Sequence, residues 1–195
     1  MNKTYEEVVR ELIEEPKYSS DWIDIAAKLI SEFNYTVDKL EKFNNKQLNI
    51  IYNANKRYGE DNVNPDAPYI SAITNPKFND TQMQLLDTAR QNDIEGDELK
   101  RLMNPSLSYS KLNYLVQSLI DGYDIAKEYN VDNLSIGQIY EIYAAFKSGI
   151  DISSYFSPDN TELSDNQLAI MRHAAELGLN AKYDKSTKQI IITEV

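Results

Sequence analysis

One pattern recurs four times between Phe78 and Leu179, and it restricts the chain to a fold of stacked short helices. Each copy opens on an apolar residue, Phe78, Leu107, Leu134 or Leu163, at successive spacings of 29, 27 and 29 residues. A helix-capping residue follows: Asn79, Ser108, Ser135 or Ser164. Gln82, Gln138 and Gln167 stand three residues later and complete reciprocal capping boxes, whereas Lys111 leaves the second copy without one. Met83, Leu112, Ile139 and Leu168 take the next position, where each staples back onto its opening residue. Gly122, Gly149 and Gly178 fall 15 residues after their opening residues, where a left-handed conformation stops a helix. Asp93 holds that register in the first copy, so its cap must differ. Tyr123, Ile150 and Leu179 follow as the apolar residues beyond the stop.

A fixed period with matched caps marks a helical repeat whose units bury their apolar faces only by stacking. Each long helix of about 13 residues spans about 20 Å. Short return helices are expected at 99–103, 125–129 and 152–156, with Asp124 and Asp151 capping the last two.

The same grammar reads upstream. Thr4 with Glu7, Ser19 with the Tyr18–Ile23 staple, and Asn44 with Gln47 each open a helix, which makes seven capped starts in all. Val8, Val9, Leu12 and Ile13 form the stripe of the first helix. The second has a wider face: Trp22, Ile23, Ile25, Ala26, Leu29, Ile30 and Phe33, with Asn34 as its stop. A short piece is expected around Val37 and Leu40, and Gly59 ends the third long helix. Residues 59–76 carry Pro65, Pro68 and Pro76 and break the periodicity, with one helical turn expected at 70–73. The organisation read from this is an N-terminal helical region (1–62), a Pro-containing connection (63–77), a four-unit repeat region (78–181) and a C-terminal β tail (182–195). In the tail, Ala181–Tyr183 and the β-branched run after Lys188 flank a turn at 184–187; such a hairpin must lie on the helices or extend a partner's sheet. The expected fold class is all-α: stacked repeats of about 27–29 residues with a short C-terminal β segment.

Charge narrows the partners. The formal net charge is −11, and residues 1–62, 63–130 and 131–195 carry excesses of 3, 4 and 4 acids, so the charge is spread evenly. A duplex binder needs a concentrated basic footprint, which disfavours direct phosphate binding; a basic protein surface is a better match. A DNA-binding reading would need a local basic patch such as Lys100, Arg101 and Lys111. With no cysteine, disulfides, thiol catalysis and thiolate zinc sites are excluded. The charged first 15 residues and the lack of a long apolar run predict a cytoplasmic protein without a membrane partner.

No catalytic constellation is legible. His173, the only histidine, has no partner at metal-ligand or acid–base spacing. The stretch from Asn92 to Glu98 fails the calcium-loop pattern, because Glu95 and Ile94 precede Gly96 and Leu102 stands where the bidentate glutamate belongs. No glycine-rich phosphate loop, nucleophile elbow or zinc-protease motif occurs. The expectation is therefore a non-enzyme with no cofactor and no metal. The oddity is 14 tyrosines, seven of them inside the repeats, where a ring with a polar tip suits inter-helix grooves and interfaces alike.

The pattern F/L-S-x-x-Q-M/L/I followed by G-x-D-I-x-x-Y, carried by residues 78–97, 107–129, 134–155 and 163–183, resembles a short helical repeat of phages, plasmids and conjugative elements of Gram-positive bacteria. The resemblance implies a non-catalytic fold module. A small, acidic, cysteine-free chain of this kind also looks like the anti-CRISPR proteins that such elements direct against host nucleases. Three functions stay open: a stoichiometric inhibitor of a CRISPR effector nuclease, a scaffolding repeat module, and a DNA-binding regulator. For the first, Tyr140, Tyr143, Tyr155 and Phe156 are the expected partner-binding anchors, since buried aromatics dominate interface energetics.

Overall fold

Seven helices begin at a capping side chain, and in six of them a stapled apolar pair flanks the cap; the first has Lys3 before Thr4. The structure, a computed structural model, describes residues 3–58, 68–153, 156–157 and 162–194. Two compact units divide at Gln91 and Asn92. The first holds α1 (Tyr5–Ile13), α2 (Ser20–Phe33), α3 (Val37–Leu40), α4 (Asn45–Tyr58), α5 (Pro68–Ile73) and α6 (Asp80–Gln91). The second holds α7 (Gly96–Leu102), α8 (Tyr109–Ile120), α9 (Ile125–Glu128), a 3-10 turn (Val131–Asn133), α10 (Ile136–Lys147), α11 (Asp165–Glu176), β1 (Asn180–Asp184) and β2 (Gln189–Thr193). The fold is all-α with a short C-terminal β segment, as the capping pattern predicts.

Within the first unit α1 packs on α2, α2 on α4 and α4 on α6, while α5 lies against α4 and α6. Within the second, α8 packs on α10 and α10 on α11, with α7 and α9 against α8. The opening residues Phe78, Leu107, Leu134 and Leu163 are each 3% exposed or less, which places every staple in the core. The boundary expected at 63–77 is displaced, because the packing joins α6, the first repeat helix, to the N-terminal unit. The reason is local: Asp87 of α6 accepts hydrogen bonds from Tyr69 of α5 at 2.7 Å and from Arg57 of α4 at 2.8 Å.

All seven expected caps are present. Thr4, Ser135 and Ser164 form full boxes with Glu7, Gln138 and Gln167, and Asn44 and Asn79 do so with Gln47 and Gln82. Ser108 caps α8 without a box. Gly122, Gly149 and Gly178 all have positive φ, and the amides of Tyr123, Ile150 and Leu179 bond back to Ser118, Ala145 and Ala174, closing Schellman motifs. Asp93 and Asn34 adopt the same left-handed conformation at φ 61° and 60°. Gly59 lies outside the described residues.

One local expectation changes. The α1 stripe is narrower than its periodicity suggests, because Val8 and Leu12 are buried while Ile13 is 68% exposed. The return helix expected at 152–156 includes residues 154 and 155, which lie outside the described residues; Phe156 N–H bonds to Ile152 C=O, and Asp151 accepts from Ser153 N–H at 2.8 Å.

The boxes do more than cap. In Gln138, Oε1 accepts from Ser135 N–H at 2.8 Å while Nε2 donates to the Leu163 carbonyl at 2.7 Å, the opening residue of the next copy. Gln47 donates to Phe78 C=O at 2.9 Å, and Trp22, at the same helical position, donates through Nε1 to Phe43 C=O at 3.2 Å. Gln167 donates to Lys188 C=O at 3.1 Å and so joins the hairpin to α11. Lys111 reaches Val131 C=O at 3.1 Å. In α2, α4, α8, α10 and α11 the third helical residue thus stitches its helix to a later segment of the chain. Gln138→Glu separates the two roles, since glutamate serves a capping box equally well but cannot donate. It is expected to lower stability by about 1–3 kcal/mol through the unsatisfied Leu163 carbonyl, read by urea denaturation; a neutral result would show that capping alone selects glutamine.

β1 and β2 pair antiparallel, from Asn180 with Thr193 to Asp184 with Gln189, and both strands pack on α11. The side chain of Ser186 and its backbone amide bond to Asp184 across the turn and hold its carboxyl down at about 2.

Candidate protein-binding surface

Tyrosine hydroxyls clasp carboxylates on neighbouring helices throughout both units. Tyr5 donates to Asp24 at 2.7 Å, Tyr52 to Glu32 at 3.4 Å and Tyr69 to Asp87 at 2.7 Å; Tyr18 donates to Glu41 and Tyr143 to Asp121. The Asp121 bond, with burial and the charge of Asp121 behind it, pushes the Tyr143 hydroxyl up to about 12. Asp121 is held below its usual value by Tyr143 and by Lys147, whose ammonium lies 3.0 Å away. Five of the 31 acids are engaged in this way.

Against that background two tyrosines stand out. Tyr109 and Tyr140 are 52% and 43% exposed, and neither hydroxyl makes a hydrogen bond among the described residues. Tyr109 is the first residue of α8; Ile136, 42% exposed, is the first residue of the adjacent α10, and Tyr140 follows it one turn on. Tyr114 of α8 supports the ridge from beneath, with its ring 5.6 Å from that of Tyr140 and 6.4 Å from that of Tyr143. The result is an apolar, tyrosine-bearing ridge along the N-terminal halves of two packed helices.

The four expected anchors fare differently. Tyr140 sits on this ridge. Tyr143 is half-buried with its hydroxyl held by Asp121. Phe156 is fully buried, stacked 5.7 Å from Tyr129, so it is a core residue and not a surface anchor. Its apolar neighbours Ile152 and Tyr129 draw it inward. Tyr155 lies outside the described residues. Tyr109 and Ile136 were missed; their position at the first turn, outside the apolar stripe, was the available signal.

The cations of the basic patch are all engaged. Lys100 pairs with Asp97 at 2.9 Å, Arg101 pairs with Asp124, and Lys111 holds the Val131 carbonyl. Asp124 also caps α9 by accepting from Lys127 N–H at 3.0 Å. His173 is exposed beside Glu176, 2.8 Å from Nδ1. Among the described residues no group of three or more histidine, aspartate or glutamate side chains is arranged to hold a metal. An open depression of about 400 Å³ in the first unit is floored by Trp22 and Phe43 and walled by Tyr18, Lys17 and Glu41. Its polar groups already pair with one another, Lys17 with Glu41 at 2.9 Å and the Trp22 indole with Phe43 C=O, so it offers a ligand little. Among the described residues no helix is long and apolar enough to cross a membrane. No protein-family model matches the chain, and neither a curated protein nor a solved structure matches it.

Proposed function

We propose that the chain is a non-enzymatic protein-binding protein that inhibits a bacterial defence nuclease of the CRISPR type by stoichiometric binding. The observation that carries the binding role is the Tyr109–Ile136–Tyr140 ridge, whose residues are exposed and whose two tyrosine hydroxyls make no hydrogen bond among the described residues. Exposed aromatic rings on rigid helices lose little entropy on docking and supply hot-spot contacts. The repeat's resemblance to modules of mobile elements supplies the class of partner. Net charge −11 suits approach to a basic nuclease surface and speeds encounter. Affinity rests on the ridge more than on phosphate mimicry, because the acid excess is spread evenly along the chain. A DNA-binding regulator is the weaker reading, with Lys100, Arg101 and Lys111 each held by a partner.

The test is target cleavage by a panel of CRISPR nucleases as the protein is titrated. Loss of cleavage at about one equivalent is expected, with association slowed by salt. Tyr109→Ala combined with Tyr140→Ala is expected to weaken binding by about 30-fold or more while leaving the helical circular-dichroism signal unchanged. Inhibition far below one equivalent would reveal turnover and overturn the mechanism. An absence of inhibition across the panel would favour the scaffolding role instead.

A further inference from the structure

The C-terminal hairpin leaves β2 as an open sheet edge. Native proteins blunt such edges with charges, prolines or bulges. Gln189–Thr193 carries none of these, whereas β1, the opposite edge, has Lys182 at its centre and Asp184 at its end. Ile191 and Ile192 are 50% and 47% exposed. An isolated two-stranded sheet is marginal, and here only one face is supported, by α11. That helix exposes Ile170 and Leu177, two turns apart on one side, at 46% and 75%.

The sequence of β2 is complementary to itself. Laid antiparallel on a second copy with Ile191 opposite Ile191, it pairs Ile190 with Ile192 and Gln189 with Thr193, and it brings Lys188, the turn residue at φ 56° just before β2, to the end where Glu194 follows the strand. Lys188 and Glu194 are both exposed, and neither takes part in an ion pair among the described residues. The hydrogen-bonding parity also agrees. Alternate residues of β2 direct their backbone groups to β1, and the intervening ones direct theirs outward. Paired positions in this register differ by an even number, so outward-directed groups meet outward-directed groups. The twofold axis stands perpendicular to the sheet and keeps both copies of α11 on one face.

We propose that two copies of this chain associate through β2, antiparallel about Ile191, to close a four-stranded sheet. The interface is isologous and independent of the ridge on α8 and α10.

Analytical ultracentrifugation of the full chain over a range of concentrations tests this. The natural chain is expected to show a reversible dimer. Ile191→Lys places two lysines at the twofold axis and is expected to give a monomer with an unchanged helical circular-dichroism signal. Lys188→Glu replaces two attractive cross-strand pairs by two repulsive ones and is expected to raise the dimer Kd about tenfold. Lys188→Glu with Glu194→Lys restores the pairs in reversed sense and is expected to recover the dimer, an outcome that only this register gives. A monomer at every concentration overturns the proposal and leaves β2 to a strand of a different protein. A dimer indifferent to Ile191→Lys and to both charge variants overturns it as well.

Discussion

Arg172→Met is expected to destabilise the C-terminal unit by about 3–5 kcal/mol, and Glu141→Met in the same chain to recover most of that loss. Glu141 of α10 and Arg172 of α11 are the one closely buried ion pair among the described residues, each side chain 10% exposed and Nε to Oε2 2.8 Å apart. Arg172 also reaches Glu176 at 2.5 Å, and Glu176 is tied to Ser148 and His173. Burial opposes the guanidinium charge, but the bonds to Glu141 and Glu176 outweigh it and hold its pKa above the ordinary value. Removing Arg172 leaves Glu141 as a buried carboxylate whose only described partner has gone, which is the costly case. Removing both charges replaces a desolvated pair by packed thioethers, which is often neutral or stabilising. Urea denaturation of the two single variants and the double variant reads the coupling. If the double variant proved as unstable as Arg172→Met alone, the loss would lie in packing and not in the uncompensated charge.

How much of this was legible in the sequence depends on distance along the chain. Caps, staples and glycine stops are contacts within a few residues, and reading Ser135, Gln138, Ile139 and Gly149 in order gives α10 almost to the residue. Contacts between copies are different. Nothing at Gln138 itself announces that its amide nitrogen meets Leu163 C=O, because the partner lies 25 residues away. A hint was present in retrospect: glutamine, which can both accept and donate, recurs at a position where glutamate would cap equally well. Gly137 is similar. A Cβ there would stand 2.3 Å from Asp165 Oδ2 and 2.6 Å from Asp165 Cβ, so this glycine marks the close approach of α11 to the first turn of α10. In sequence it reads only as a weak helix former. The ridge was partly legible. Tyr140 was singled out by residue type, whereas Phe156 has the same aromatic character and is buried by tertiary packing that no local pattern reports.

Trp22→Ala is expected to lower the stability of the N-terminal unit by about 3–5 kcal/mol, the usual range for a large aromatic removed from a core. Trp22 combines three roles. It buries all but 6% of its surface between α2 and the entry to α4, it stacks on Tyr18 at 4.1 Å and 7°, and its indole N–H holds Phe43 C=O. It also occupies the third helical position, where α4 and α10 have Gln47 and Gln138, so an indole and a carboxamide perform the same stitch. Trp22→Phe distinguishes the stitch from the bulk. Phenylalanine retains a ring for Tyr18 but cannot donate, so the buried Phe43 carbonyl loses its partner, at about 1–3 kcal/mol. Trp22→Gln reverses the choice, restoring a donor and sacrificing ring burial. If Trp22→Phe matches the natural chain in urea midpoint, the hydrogen bond is incidental and packing alone selects tryptophan. If it loses about a third or more of the alanine effect, donation to the next opening residue is the shared requirement of this position in both units. A repeat defined that way is recognised by the bond its third residue makes forward, and glutamine is one of several side chains able to make it.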